Sequence, residues 1–415
     1  MEKYVAVLGR QPLISIAELE SLFSEVKRVA PSLAEFRLGV DAPRNQAGTG
    51  PDLSRLGGSL KIGQKIETSI AEFLETLPEE GKITIGVSDF SKGASAFKAQ
   101  GEALKIKRLL TKRGRSVRVV PNKTPALSSA VSLHNHLYTD SKIELIKNGK
   151  DFYRVTEVQD IEAYTRRDQA RPARDAKVGM LPPKLAQTLI NLCGNLPKGT
   201  RLLDPFCGTG VVLQEAALMG YQPYGTDINE RMVEYARRNM EWLDAHLQTI
   251  SSPVALSSSK DSDPRQPSND SKAVRRRAAR HTSVSSAAII VAQGDATSFH
   301  WEAPVQAVAC EVYLGQPMST PPADIKLKQE KQECKSIILG FLKNLAEQIE
   351  TGVPVVIAVP AWLRPDGHYE RLKLLDEIDS LRYNVISFKN TRQDDLLYHR
   401  EGQVVAREII VLRKK

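Results

Sequence analysis

Apolar residues in the second half of the chain follow two alternating rhythms, short β-branched runs and longer helical stretches. From Gly179 onward this alternation predicts an α/β fold, a doubly wound sheet with a largely parallel core. Strands are expected at Arg201 to Leu203, Pro223 to Gly225, Ile289 to Gln293, Ala307 to Cys310, Val353 to Val359, Tyr383 to Phe388 and Val404 to Leu412. The first half reads as two smaller α+β units. Residues 1–80 hold a strand at Tyr4 to Leu8, a helix at Ser15 to Phe23, and a second helix from Ile66 to Leu74 behind Gly57-Gly58. Residues 81–160 hold the strand Lys82 to Val87, the helix Gly101 to Arg113 and the strand Ser116 to Val120. The helix Ser128 to Leu137 and strands near Ile143 and at Phe152 to Val155 complete that unit. A polar, proline-interrupted stretch over 161–178 reads as a linker, which leaves 179–415 as the third unit. Within it, 247–288 is rich in Ser, Asp, Pro and Asn, ends in an arginine cluster through Arg280, and is expected to be a disordered insertion.

Charge adds a partner class. The chain of 415 residues carries a formal +9, and between Lys98 and Lys123 nine bases face one acid, Glu102. Such a helix and strand suit a phosphate-binding surface, although a solvated helix face explains the same charges. No apolar run approaches the ~20 residues of a bilayer span, so the expectation is a soluble, cytoplasmic protein without membrane contact. Cys193, Cys207, Cys310 and Cys334 lack paired spacing, which argues against a disulfide framework and against a metal site.

The chemistry concentrates where Arg201-Leu202-Leu203 runs through Asp204-Pro205-Phe206-Cys207-Gly208-Thr209-Gly210 into the helix Val211 to Met219. Glycines there let the backbone approach a ligand, and the helix start offers free N–H groups. About twenty residues on, a second strand ends at Asp227, where a carboxylate can accept two hydrogen bonds from a ribose diol. Together they describe a nucleoside site. The chain lacks the GxGxxG phosphate turn, and the acid Asp204 would repel a pyrophosphate while suiting an amino group.

The loop Asp204 to Gly210 closely resembles the first motif of class I methyltransferases that act on exocyclic amines. Gly179-Met180-Leu181-Pro182-Pro183-Lys184, that loop, Asp227, and Gly294-Asp295-Ala296 follow the order of tRNA guanine-N2 methyltransferases with a THUMP domain. Thr124 to Leu137 is similar to the closing helix of the THUMP module, and Leu397 to Arg407 to the family's last hairpin. The resemblance implies a ferredoxin-like domain over 1–80, a THUMP-like RNA-binding domain over 81–160 and a Rossmann-like, seven-stranded methyltransferase domain over 179–415. It implies S-adenosylmethionine as cofactor and tRNA as partner; the cysteine spacing already argues against a metal, and the sequence leaves a monomeric chain or an oligomer open. Asp204, Phe206, Gly208, Thr209 and Gly210 would hold the amino acid part, Asp227 and Ile228 the ribose side, and Asp295 and Ala296 the adenine, unless Asp295 only closes a turn. The fourth motif departs from the family's Asp or Asn, Pro, Pro and aromatic residue: here stand Glu311, Val312 and Tyr313, both prolines lost. Glu311 would supply the catalytic carboxylate, Val312 a backbone carbonyl and Tyr313 the stacking ring, on a loop expected to be freer. Arg400 and Arg407 are read either as RNA contacts or as surface ion pairs. Two rivals remain: an amine methyltransferase acting on DNA, another nucleic acid or protein, and a non-catalytic RNA-binding protein that keeps the cofactor pocket.

Overall fold

The computed structural model describes residues 2–45, 47–175, 180–251, 289–302 and 304–415. In the first half, the strand β1 (Lys3–Leu8) is almost wholly buried, because five consecutive residues from Tyr4 to Leu8 have apolar neighbours on both faces. Helix α1 (Pro12–Leu22) follows, with proline in its first turn, where the missing N–H costs nothing. Strands β2 (Ser24–Ala30), β3 (Leu33–Arg37) and β4 (Ser59–Lys65) and helix α2 (Ile70–Glu75) complete the first stretch. Then come β5 (Ile83–Asp89), α3 (Ala96–Lys112), β6 (Val117–Val119), α4 (Ser129–His134), β7 (Lys142–Asn148) and β8 (Asp151–Val158). Ala99, Ala103, Ile106 and Leu110 form the buried stripe of α3, and its bases lie on the opposite face.

All eight strands join one sheet in the order β2-β3-β1-β4-β8-β7-β5-β6. The sheet therefore runs through both units expected at 1–80 and 81–160, joined where β4 pairs antiparallel with β8. Lys61 of β4 is buried at this joint against Glu144 of β7 at 2.6 Å. Ser88 and Ser132 also donate to that carboxylate, and Lys61 reaches the Leu127 carbonyl, so the buried charges are paired and solvated by protein.

The second half begins with α5 (Ile161–Gln169) and α6 (Pro183–Leu192). Its sheet is built from β9 (Arg201–Asp204), β10 (Gln222–Asp227), β11 (Ile290–Gln293), β12 (Ala307–Glu311), β13 (Pro354–Leu363), β14 (Tyr369–Arg371), β15 (Tyr383–Val385), β16 (Leu397–Tyr398) and β17 (Val405–Lys414). The main helices are α7 (Val211–Leu218), α8 (Glu230–Ser251) and α9 (Asp324–Ala346). The main path runs β11-β10-β9-β12-β13-β17-β15, with β14 beside β13 and β16 beside β17. β9 to β13 pair in parallel along this path, while β17 runs antiparallel to both of its neighbours. This is a doubly wound, seven-stranded order like the one the resemblance implies, with the strand order reversing at β9 so that the loops after β9, β10 and β12 share one edge. All four cysteines are free and buried.

The expected linker over 161–178 is instead structured as far as Gln169 by α5, and Arg167 among its four arginines is an interior residue. Arg167 donates to Glu215 of α7 at 2.8 Å, and Tyr164 bonds Gln187 of α6. Residues 176–178 and Gly179 lie outside the described residues, as does the expected insertion from 252 to 288 with its arginine cluster; residues 247–251 continue α8.

The two halves meet on a buried carboxylate. Glu18 of α1 accepts the N–H groups of Gly57 and Gly58 at 2.9 and 2.8 Å and the side-chain amide of Asn191 of α6 at 2.8 Å. A Cβ at Gly57 would stand 1.9 Å from the Lys184 carbonyl, so only glycine lets α6 come this close. Glu18→Ala should leave three N–H donors unsatisfied, those of Gly57, Gly58 and Asn191, and lower unfolding stability by about 3 kcal/mol, read from chemical denaturation. A loss below about 1 kcal/mol would mean that water replaces the carboxylate at the joint.

Candidate active site at the carboxyl edge of the second sheet

Three carboxylates gather at the edge where β9, β10 and β12 end. Asp204 closes β9 and is buried, with its Oδ1 accepting the Phe206 N–H at 3.1 Å. Burial pushes its carboxyl well above the usual range; the Phe206 N–H pulls the other way, and the charges of Asp227 and Glu311 push it higher still. Asp227 ends β10 and accepts the Gly208 N–H on Oδ2 and the Asn229 N–H on Oδ1, both at 2.9 Å. Its carboxyl is also raised, chiefly by burial. Glu311 ends β12.

The loop between β9 and α7 turns through two glycines in the left-handed region, Gly208 at φ 50° and Gly210 at φ 82°. A Cβ at Gly208 would meet nothing within 4 Å, so there is open space over that backbone, whereas one at Gly210 would press on Ala236 of α8. Thr209 is buried, and its carbonyl is held by Asn239 of α8 at 2.8 Å. Asn239 also bonds both backbone groups of Ala173, tying the segment before α6 to the loop. The sequence reading missed Asn239; the only signal was a polar side chain on the buried face of an amphipathic helix. Phe206 packs edge-on against Phe341 of α9, ring centres 5.2 Å apart.

The remaining expected residues fall around this edge in different ways. Ile228 is 66% exposed beside Asp227, an apolar surface of the kind a ribose or base covers. Ala296 is buried. Asp295 takes the turn role weighed for it: its Oδ1 accepts the Thr297 N–H at 2.9 Å and the Thr297 hydroxyl at 2.8 Å. Val312 is buried and extends the β12 ladder, its N–H donating to Ala358. Tyr313 leans on the core under α9, its hydroxyl accepting from Gln316 at 3.1 Å. Burial and then the nearby Glu333 carboxylate push that phenol up to about 12. The loop is also less free than the lost prolines predicted, because the Gln316 N–H donates to the buried Glu330 of α9 at 3.1 Å. Arg407, read as an RNA contact or surface pair, is neither exposed nor at the surface: its Nε donates to Glu311 Oε1 at 2.6 Å.

A carboxylate triplet with one guanidinium at its rim favours a cationic guest. Residues 171–338, which contain this edge from Asp204 to Glu311, match the family model described as RMKL-like, methyltransferase domain. This segment is therefore similar to that methyltransferase domain. The domain is similar to tRNA (guanine(10)-N2)-dimethyltransferases. That of Methanothermobacter thermautotrophicus is 49% identical over 76 residues, 18% of this chain and 22% of the relative. That of Pyrococcus abyssi is 51% identical over 63 residues, 15% of this chain and 18% of the relative. The chain thus spans about a fifth of the length of these curated relatives. Among solved structures, TrmN from Thermus thermophilus overlays the whole of both chains at 16% identity with a TM-score of 0.46.

The cofactor of such a domain is S-adenosylmethionine, and the residues fit it. Among the described residues no cation pairs with Asp204 or Asp227, where a cationic ligand would bring one, and the open backbone at Gly208 admits a ligand. The same residues make the domain less stable alone. Because Asp204 binds its proton more tightly folded than unfolded, its contribution to stability is present at low pH and lost as pH rises through the raised value. Asp204→Asn should therefore raise the thermal midpoint at neutral pH while weakening S-adenosylmethionine binding at least tenfold (roughly 1.4 kcal/mol). Scanning calorimetry and a binding titration read the two effects; an unchanged affinity would remove Asp204 from the site.

Proposed function

We propose that this chain transfers a methyl group from S-adenosylmethionine to the N2 amine of a guanosine in tRNA. The observation that carries this reading is the position of Glu311, a carboxylate at the end of the fourth strand beside the buried Asp204 of the cofactor loop. The names of the tRNA (guanine(10)-N2)-dimethyltransferases that match this domain support the substrate class.

The division of labour follows from the donors and acceptors. S-adenosylmethionine, when bound, supplies a methyl group on a positively charged sulfur. Asp227 keeps lone pairs on both oxygens for ribose hydroxyls beyond the two N–H groups it already accepts. Asp204 faces the amino group of the methionine part, where its charge costs least. Glu311 Oε2 accepts an N2–H of the guanine and turns the nitrogen lone pair toward the methyl carbon. It takes that proton as the N–C bond forms and the S–C bond breaks.

The RNA surface lies in the first half of the chain. Lys98, Lys105, Arg108 and Lys112 are exposed on α3, and Phe97 among them is 87% exposed, a ring on which an unpaired base can stack. A second reading, a non-catalytic RNA-binding protein, is favoured by the engagement of Glu311 with Arg407 and by the turn of Tyr313 toward α9.

Incubating the purified chain with its own tRNA and labelled cofactor decides between them. The expected outcome is label on guanosine N2, lost by roughly a hundredfold or more in Glu311→Ala with RNA binding kept; no transfer by the wild-type chain leaves the binding protein. In the same system Arg108→Glu with Lys112→Glu should lower the salt slope of tRNA binding by about two units and leave cofactor affinity unchanged. An unaltered slope returns α3 to a solvated face.

A further inference from the structure

Glu311 and Arg407 are brought together by the strand between them. On β13, Ala358 stands opposite Glu311 on one side and Pro360 stands opposite Arg407 on the other. Positions two apart on a strand share a face, so the two side chains emerge on the same side of the sheet at its carboxyl edge. There Arg407 Nε meets Glu311 Oε1 at 2.6 Å, with the side chains only 6% and 15% exposed.

The contact uses one atom of each group. Among the described residues, Glu311 Oε2 and both Nη nitrogens of Arg407 have no partner, and none of the three is fully sealed from solvent. The pair therefore presents an acceptor beside two donors. A guanidinium so far inside the fold is poorly placed to track a backbone phosphate, and it has more donors than one carboxylate oxygen requires.

We propose that Glu311 and Arg407 together read the Watson–Crick edge of guanine. Glu311 Oε2 accepts from the N2 amine, and an Nη of Arg407 donates to O6 at the far end of the same edge. Adenine fails on both counts: it has no 2-amino group, and at position 6 it carries an amine that would face the guanidinium donor to donor. Arg407 is thus a specificity-determining residue as well as a positioning residue for Glu311. The inference rests on guanine-amine transfer and adds which residues choose the base.

The test pairs enzyme variants with an altered base. One tRNA carries guanosine at the position that the wild-type chain methylates; a second, made by ligation, carries 2-aminopurine riboside there, which keeps the 2-amino group and lacks O6. Wild-type protein should methylate guanosine roughly a hundredfold faster than 2-aminopurine. In Arg407→Met that preference should collapse toward one, with S-adenosylmethionine affinity retained. Arg407→Lys keeps a charge for Glu311 but not the planar fork, so it should recover rate on 2-aminopurine more fully than the preference for guanosine. Equal wild-type rates on the two bases overturn the assignment without touching the methyltransferase reading, and they do so even if Arg407→Met does not fold. A hundredfold preference that survives in an active Arg407→Met also overturns it, leaving Arg407 a structural ion pair. A wild-type chain that transfers nothing to guanosine overturns the proposed reaction, and this assignment with it.

Discussion

A carboxylate taken out of water loses several kcal/mol of solvation unless a donor or a cation replaces it. The second sheet places Asp204 in that position, with Asp227 and Glu311 near enough to raise its proton affinity further. The domain tolerates this because the crowding sits at the strand ends, where a ligand's positive charge can enter. The surrounding architecture serves this arrangement. β9, β10 and β12 align their ends through parallel pairing, the glycine loop bends away from its own backbone, and Asn239 fixes that loop from α8. Arg407 brings a buried guanidinium beside this edge and holds Glu311 from the antiparallel strand β17.

Buried carboxylates held by donors also join the two halves of the chain and brace the second half from within. Glu18 is satisfied by backbone of its own half and by Asn191 of the other, and the Arg167 to Glu215 pair ties α5 to α7. Such pairs add little stability compared with apolar packing, but breaking one strands a charge, so they favour a single docking geometry. The basic face of α3 and the carboxyl edge of the second sheet are thereby carried on one framework rather than on a tethered pair of modules.

Much of the second sheet was legible in the sequence because buried parallel strands are short β-branched runs that alternate with helices, and all seven expected strands lie on its main path. The first sheet was harder to read. β2 and β3 have charged, partly exposed positions, and β4 is interrupted by Lys61, whose charge is neutralised only by Glu144, far along the chain. The stretch taken for a linker was misread for the same reason: Arg167 looks solvated until Glu215 is placed beside it. At the proposed site, Asp204, Gly208, Gly210 and Asp227 could be singled out because the roles proposed for them are local to strand ends. Asn239 and the pairing of Arg407 with Glu311 were not, since both depend on contacts between residues distant in the chain. Asp295 shows the opposite limit, as its carboxylate serves the turn that the local sequence already allowed.

The carboxylate cluster at this edge is the proposed seat of the cationic cofactor. Calorimetric titration of S-adenosylmethionine in buffers of different ionisation enthalpy tests it directly. Asp204 and Asp227 hold protons more tightly than ordinary carboxyls in the free protein, and a bound cation reverses that preference. The predicted result is net proton release at pH values above the ordinary carboxylate range, with affinity rising as pH rises through the raised values. Binding with an enthalpy independent of the buffer and an affinity flat across that range would contradict the claim.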